Sequence, residues 1–316
     1  MRPVKWRAMT PNTTSFIEST FEDEVDFGRR FGGIARLYGE RALERFRAAH
    51  VCVVGVGGVG SWIVEALARS AVGRLTLIDL DNVAESNINR QIQALSTTIG
   101  MPKIEALKQR IALINPYCEV ELVEDFIDPD NIPQMIGSTR VDTARFDYVV
   151  DAIDSVKAKA ALIAYCSEHA IPLVVIGGAG GQIDPTKIEV RDLARTEQEP
   201  LLKKVRKVLR SRYGFAKGEK NKYHIDAVFS MEPLRYPEAG DACAIDPNSI
   251  TGLNCAGFGS SMVVTATFGM VAAGHMLRKM AEEANAAVVK PVAAPASVEA
   301  IVETGDAVQL EEALLS

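Results

Sequence analysis

Two hydrophobic periods alternate along the first 180 residues. The apolar run "HVCVVGV" from His50 reads as a buried parallel strand, and "SWIVEALARSA" after it is apolar at helical spacing. "RLTLIDLD" predicts a second strand ending in the carboxylates Asp79 and Asp81. "PKIEALKQRIALIN" predicts a helix, with Pro102 near its start and Ile104, Leu107, Ile111 and Ile114 on one face. "CEVELVED" and "FDYVVDAID" predict two more strands around a Pro-containing helix or loop. "VKAKAALIAYCSEHA" then reads as a helix and "IPLVVIGGAGG" as a further strand. Alternation of this kind predicts an α/β fold, a Rossmann-like, doubly wound and mostly parallel sheet that takes ligands at the carboxyl ends of its strands.

After Gly181 the pattern changes. "QIDPTKIEVRDLA" predicts a hairpin, and Pro200 opens a basic amphipathic helix with Leu201, Leu202, Val205, Val208 and Leu209 on its apolar face. Residues 214–255 read as irregular, and a long helix is predicted from about Phe258 to Ala284. The expected organisation is a flexible arm (1–26), one domain (27–285) and a weakly ordered tail (286–316). Within the domain, a nucleotide-binding half at about 50–180 precedes a C-terminal α+β subregion at about 181–285 that folds onto the sheet. The stretch 258–277 scans as a membrane span, since no Asp, Glu, Lys or Arg occurs between Asp246 and Arg278. Ser260, Ser261, Thr265 and Thr267 dilute it, and Gly269 and Gly274 permit close packing, so a buried helix is expected.

The 316 residues are 47% hydrophobic and 24% charged, the balance of a protein with a sizeable core. The net charge of −6 argues against wholesale nucleic-acid binding. It hides a segregated patch: residues 201–222, "LLKKVRKVLRSRYGFAKGEKNK", hold nine basic residues against one acidic one. Lys203, Lys204, Lys207 and Arg210 share the polar face of that helix and are expected to meet a phosphate backbone, the alternative being a solvated face. Five cysteines without a C-x-x-C pair predict no structural zinc, and an odd count fits a reducing, cytoplasmic setting. Cys243 and Cys255 read as small buried residues rather than as catalytic thiols, since neither has a histidine beside it.

Gly55-x-Gly57-x-x-Gly60 with Asp79 after the next strand meets the loose dinucleotide fingerprint. The glycines alone fit either the pyrophosphate of a dinucleotide or the triphosphate of ATP. The next stretch, "DLDNVAESNINRQ", separates the two. A ribose needs one carboxylate, whereas the cluster Ser86, Asn87, Asn89, Arg90 and Gln91 suits phosphates on which charge builds as pyrophosphate leaves. Lys103, in "GMPK", offers a second cation. "DAID" puts Asp151 and Asp154 at a strand end, where a carboxylate can hold Mg²⁺. Asp154 also suits the N-cap of the helix after it, and Asp151 competes with it for the metal.

"GVGGVGS", "DLDNVAESNINRQ", "GMPK" and "DAIDS", in this order, resemble the ATP-dependent adenylating enzymes related to ubiquitin-activating enzyme, among them the activators of the molybdopterin and thiamine sulfur carriers. Within that superfamily, "RFGGIARLYG" (Arg30 to Gly39), "GGAGGQIDPTKIEVRDLA" and "MVVTATFG" look like the tRNA threonylcarbamoyladenosine dehydratases. The resemblance runs from about Phe27 to Met280. It implies that Gly55, Gly57, Gly58 and Gly60 form the nucleotide loop, with Asp79 on the ATP ribose and Asp81 close by. Asn87, Arg90, Gln91 and Lys103 are implied for the phosphates, and Asp154 for magnesium. An arginine near the N-terminus, for which Arg36 and Arg30 are candidates, is implied to reach a partner subunit's site.

The implied reaction is ATP-dependent cyclisation of threonylcarbamoyladenosine next to the tRNA anticodon, through an acyl adenylate. ATP and Mg²⁺ are the implied cofactors, with Na⁺ or K⁺ a further candidate. The implied partners are tRNA, a second copy in a homodimer, and, as a candidate, a cysteine-desulfurase-linked sulfur-acceptor protein. The rivals are an activator of a ubiquitin-like sulfur carrier, an NAD-dependent oxidoreductase and a non-catalytic RNA-binding module. The missing C-x-x-C pairs count against the first, the "SNINRQ" cluster against the second, and intact Asn87, Arg90 and Asp154 against the third.

Overall fold

The structure is a computed structural model that describes residues 25–137, 145–218, 220–236 and 258–286. Seven strands form one sheet: β1 (His50–Val54), β2 (Arg74–Ile78), β3 (Glu119–Val123), β4 (Tyr148–Asp151), β5 (Leu173–Ile176), β6 (Ile188–Asp192) and β7 (Asp226–Ser230). They lie in the order β3-β2-β1-β4-β5-β7-β6, parallel except for the last pair. The crossovers reverse direction between β1 and β4, which is where such sheets open a ligand crevice.

Both faces of the sheet are covered, and β1 shows why the sequence permits this. Val51 and Val53 point into one core with Leu75, Leu77 and Val150, while Cys52 and Val54 point into the other with Ile78 and Val149. The first core is closed by α2 (Glu40–Ala48), α3 (Gly60–Arg69), α4 (Lys103–Ile114) and α8 (Met262–Ala286). The second is closed by α5 (Ile132–Ile136), α6 (Val156–Glu168) and α7 (Pro200–Arg212). A leading helix, α1 (Phe27–Tyr38), is capped by Asp26, whose Oδ1 accepts the Arg29 N–H at 3.0 Å.

α8 carries the apolar stretch that scanned as a span. It buries Val264, Phe268, Met276 and Met280 against the sheet and α3. Gly269 makes the approach possible, because a Cβ there would fall 2.8 Å from the Trp62 Cβ. Among the described residues no helix is long and apolar enough to cross a membrane.

Five elements differ from expectation. β6 does not fold back on a neighbour as a hairpin: its antiparallel partner is β7, with all of α7 between them. β7 itself falls in the segment expected to be irregular, and its central residues Ala227, Val228 and Phe229 are completely buried between β5 and β6. α1 and α2 precede the sheet, joined at Gly39 with φ +97°. α8 begins four residues later than expected, at Met262. Residues 1–24 of the expected arm, most of the tail, and Cys243 and Cys255 lie outside the described residues.

Candidate active site

The carboxyl ends of β1, β2, β4 and β5 open into a cavity of about 520 Å³. The glycine loop forms its floor, and each glycine has a separate reason to be there. Gly55 turns the chain with φ +83°, and a Cβ on it would press on the Ala152 carbonyl at 3.0 Å. A Cβ on Gly60 would lie 1.9 Å from the Gly55 oxygen, so only glycine lets α3 start this close to β1. Gly57 and Gly58 line the cavity. The loop meets the N-terminus of α3, whose positive dipole end favours an anion.

Asp79 fastens the loop to β2. Its Oδ2 accepts the Val56 N–H at 2.8 Å and its Oδ1 the Asp81 N–H at 2.9 Å. Burial pushes this carboxyl above its ordinary value, and the Lys103 charge pulls it back. Lys103 opens α4 with its side chain only 7% exposed, 2.5 Å from Asp81 Oδ2 and 3.9 Å from Asp79 Oδ1. A lysine so enclosed, between two carboxylates at the edge of a cavity, is a cation held in place rather than a solvated surface charge.

The segment after β2 supplies the opposite wall. A Cβ on Gly58 would touch the Arg90 Cδ at 3.4 Å, which puts the stem of Arg90 over the glycine loop. Arg90 Nη1 donates to the Ser86 carbonyl at 2.6 Å and to Asn89 Oδ1 at 3.0 Å. Its carbonyl receives the Trp62 Nε1–H at 2.9 Å and the Thr265 hydroxyl at 3.3 Å, tying the segment to α3 and α8. Asn87 and Gln91 are buried alongside. Asn87 Oδ1 accepts the Ala84 N–H at 3.1 Å, and Gln91 Oε1 accepts from Gln93 Nε2 at 3.0 Å.

The cavity thus gathers Gly55, Gly57, Gly58, Asp79, Asp81, Asn87, Arg90, Gln91, Lys103 and Asp154 from among the residues singled out in the sequence. Gly60 sits just behind as the packing glycine. Asp151 is elsewhere: fully buried, its Oδ1 lies 2.7 Å from Lys159 Nζ, which also donates to the Asp151 carbonyl at 3.1 Å. Burial raises its carboxyl despite that lysine. Asp151 is therefore committed to an internal ion pair and does not line the cavity. Asp154 does not cap α6, since Ser155 is the N-cap and its hydroxyl accepts the Ala158 N–H at 3.5 Å.

Arg36 is exposed on α1 and does not line the cavity, and Arg30 donates to the Ile114 carbonyl at 2.8 Å. On α7, Lys203, Lys204 and Lys207 face solvent, whereas Arg210 is partly buried and its Nε donates to the Tyr223 hydroxyl at 3.0 Å. Among the described cysteines, burial pushes the Cys118 and Cys166 thiols up to about 12 and raises Cys52 as well, so none is a thiolate nucleophile.

Sequence reasoning did not single out the outer parts of the cavity, which come from Phe126 and Ile127 after β3, Gly177–Gly180 after β5, and Phe258, Ser260 and Thr265 at the start of α8. The run "GGAGG" at a strand's carboxyl end carried a readable signal; the others are ordinary residue types brought in from distant segments.

A glycine loop on a helix N-terminus, beside a strand-end carboxylate and two placed cations, is an arrangement suited to a nucleotide. The pattern of the ThiF family matches residues 32–306. The chain belongs to the ThiF family. This ThiF-family chain is 53% identical over 260 residues to the tRNA threonylcarbamoyladenosine dehydratase of Escherichia coli, an alignment covering 81% of the chain and 95% of that protein. It is also similar to two solved structures of the E. coli tRNA N6-threonylcarbamoyladenosine dehydratase. The complex with ATP matches with a TM-score of 0.72 at 52% identity, covering 82% of this chain and 96% of the other. The complex with AMP matches with a TM-score of 0.72 at 51% identity and the same coverage.

Proposed function

We propose that this ThiF-family chain is a tRNA threonylcarbamoyladenosine dehydratase that activates its substrate's carboxylate with ATP. The observation that carries this is the match, over four-fifths of the chain, to the E. coli enzyme named for that activity and solved with ATP and with AMP, on a chain whose cavity suits a nucleotide. A carboxylate is a poor electrophile because oxide would have to leave. A carboxylate oxygen therefore attacks the α-phosphorus of ATP and expels pyrophosphate. The carbamoyl group of the same base then attacks the acyl carbon and expels AMP, so the base loses the elements of water. Both steps need positioning and charge stabilisation rather than a protein nucleophile.

In this reading the glycine loop and the α3 N-terminus hold the phosphates, Asp79 holds the ribose with Asp81 close by, and Arg90, Lys103, Asn87 and Gln91 stabilise the charge that grows as pyrophosphate leaves. Asp154 suits Mg²⁺, which takes one or two carboxylates and completes its shell with water and phosphate oxygens. Among the described residues no group of three or more His, Cys, Asp or Glu side chains gathers for a metal. When bound, the ion neutralises phosphate charge. Na⁺ or K⁺ remains an accessory candidate with no side chain assigned.

Lys203, Lys204 and Lys207 present a row of cations from α7 to the RNA backbone. Homodimerisation belongs to the same reading: Arg36 stands exposed outside its own cavity, and Met262, Val263 and Met270 leave α8 with exposed apolar side chains.

The test is incubation of purified protein with ATP, Mg²⁺ and either tRNA bearing threonylcarbamoyladenosine or a ubiquitin-like carrier protein. AMP should form with the tRNA alone. AMP formation with the carrier, and none with the tRNA, would transfer the chain to the sulfur-carrier activators.

A further inference from the structure

The glycines after β5 have a second task besides lining the cavity. A Cβ on Gly180 would touch the Phe258 Cβ at 3.4 Å, and one on Gly181 would collide with Phe258 Cδ1 at 2.9 Å. Gly181 also takes φ +73°, so glycine is required there on two counts. The main chain locks this seat: the Gly181 N–H donates to the Gly259 carbonyl at 2.8 Å, and the Arg235 N–H donates to the Gly181 carbonyl at 2.8 Å. Phe258, held so, lines the nucleotide cavity. Tyr236, 69% exposed, packs against it with ring centroids 5.2 Å apart and planes at 55°.

A tyrosine this exposed adds little to the core, yet it follows directly on Arg235, which is hydrogen-bonded to Gly181, and packs on a phenylalanine that lines the cavity. Aromatic faces in such a position are stacking surfaces for unpaired bases. On the functional reading above, the RNA must deliver a carboxylate, borne on the exocyclic nitrogen of an adenine, to the α-phosphorus of ATP in this cavity. Stacking grips a base by its face and leaves its edge, with the substituent, free to enter. We propose that Tyr236 and Phe258 form the stacking platform for the base that carries the reacting carboxylate.

The test is fluorescence anisotropy with an anticodon stem-loop RNA carrying the modified adenine, together with calorimetric titration of ATP. Tyr236→Ala should weaken RNA binding by roughly tenfold, within the range for loss of one base–aromatic stack. ATP affinity and melting temperature should not change, and Tyr236→Phe, which keeps the ring, should bind as wild type. Phe258→Leu, which refills the glycine seat without an aromatic face, should also lose RNA affinity. A stem-loop with an abasic site at the reacting position should erase the difference between wild type and Tyr236→Ala. Unchanged RNA affinity in Tyr236→Ala, or a difference that persists on the abasic RNA, overturns the platform. Binding is read without turnover, so a wild-type protein that fails to cyclise the RNA contradicts the functional reading and still leaves the platform decided.

Discussion

Asp151 and Asp154 stand three positions apart at the end of β4, and the structure gives them different environments. Asp151 is sealed against Lys159, and neutralising it strands a buried lysine, a change that commonly costs about 3–5 kcal/mol. Asp154 lines the cavity. Asp151→Asn should therefore lower the melting temperature by many degrees. Asp154→Asn should leave melting nearly unchanged and reduce AMP formation by ~10²-fold or more, with a smaller loss in ATP affinity. Thermal melts and single-turnover assays on the two variants decide this, and the reverse pattern would exchange their roles. The sequence could not separate the two, because a carboxylate at a strand end looks the same whether it points into the core or into the cleft. Asp79 and Lys103 were legible as cavity residues because they stand at a strand end and a helix start, and Arg90 because of the polar cluster around it. Phe126 and Phe258 were not, since an isolated phenylalanine carries no sign of the wall it will join.

At the scale of elements, the parallel half of the sheet was readable because its strands are continuous apolar runs with amphipathic helices between them. β7 was not, because a five-residue strand held by long-range pairing lacks the context that marks β1. β7 is also joined to α8 by charge: Asp226 Oδ2 is 2.9 Å from His275 Nε2 and 2.8 Å from Lys279 Nζ. The hydrogen bond from His275, with that from Lys279, holds the Asp226 carboxyl down at about 2. A carboxyl depressed below its unfolded value stabilises the fold above about pH 4, and that stabilisation fades as the pH falls towards 2. Asp226→Asn should cost on the order of 1 kcal/mol at pH 7, allowing for solvent screening at a half-buried group. The gap from wild type should narrow in denaturant titrations at pH 4 and 3; a gap of constant size would mean that the pair contributes no electrostatic stability. For α7 the structure narrows the basic face to three lysines, since Arg210 is engaged with Tyr223. Replacing Lys203, Lys204 and Lys207 with Gln should weaken tRNA binding and flatten its salt dependence by ~0.7–0.9 in slope for each lysine–phosphate pair removed. ATP affinity should stay the same. An unchanged salt slope would place the RNA on another surface.

At the scale of the whole molecule, a doubly wound sheet brings one crevice to the carboxyl edge of its strands, and here that crevice holds a phosphate loop, strand-end carboxylates and cations in a single cavity. The proposed adenylation suits that arrangement: cations and main-chain donors gather at one end of the cavity, where the proposal places the departing pyrophosphate. The central claim is that the substrate carboxylate itself attacks the α-phosphorus. It is tested most directly by labelling that carboxylate with oxygen-18 in the modified tRNA and recovering the nucleotide products after one turnover with ATP. One AMP should appear for each base cyclised, carrying one labelled oxygen on its phosphate, with none in pyrophosphate. Label in inorganic phosphate with ADP as co-product, or unlabelled AMP, would contradict the account.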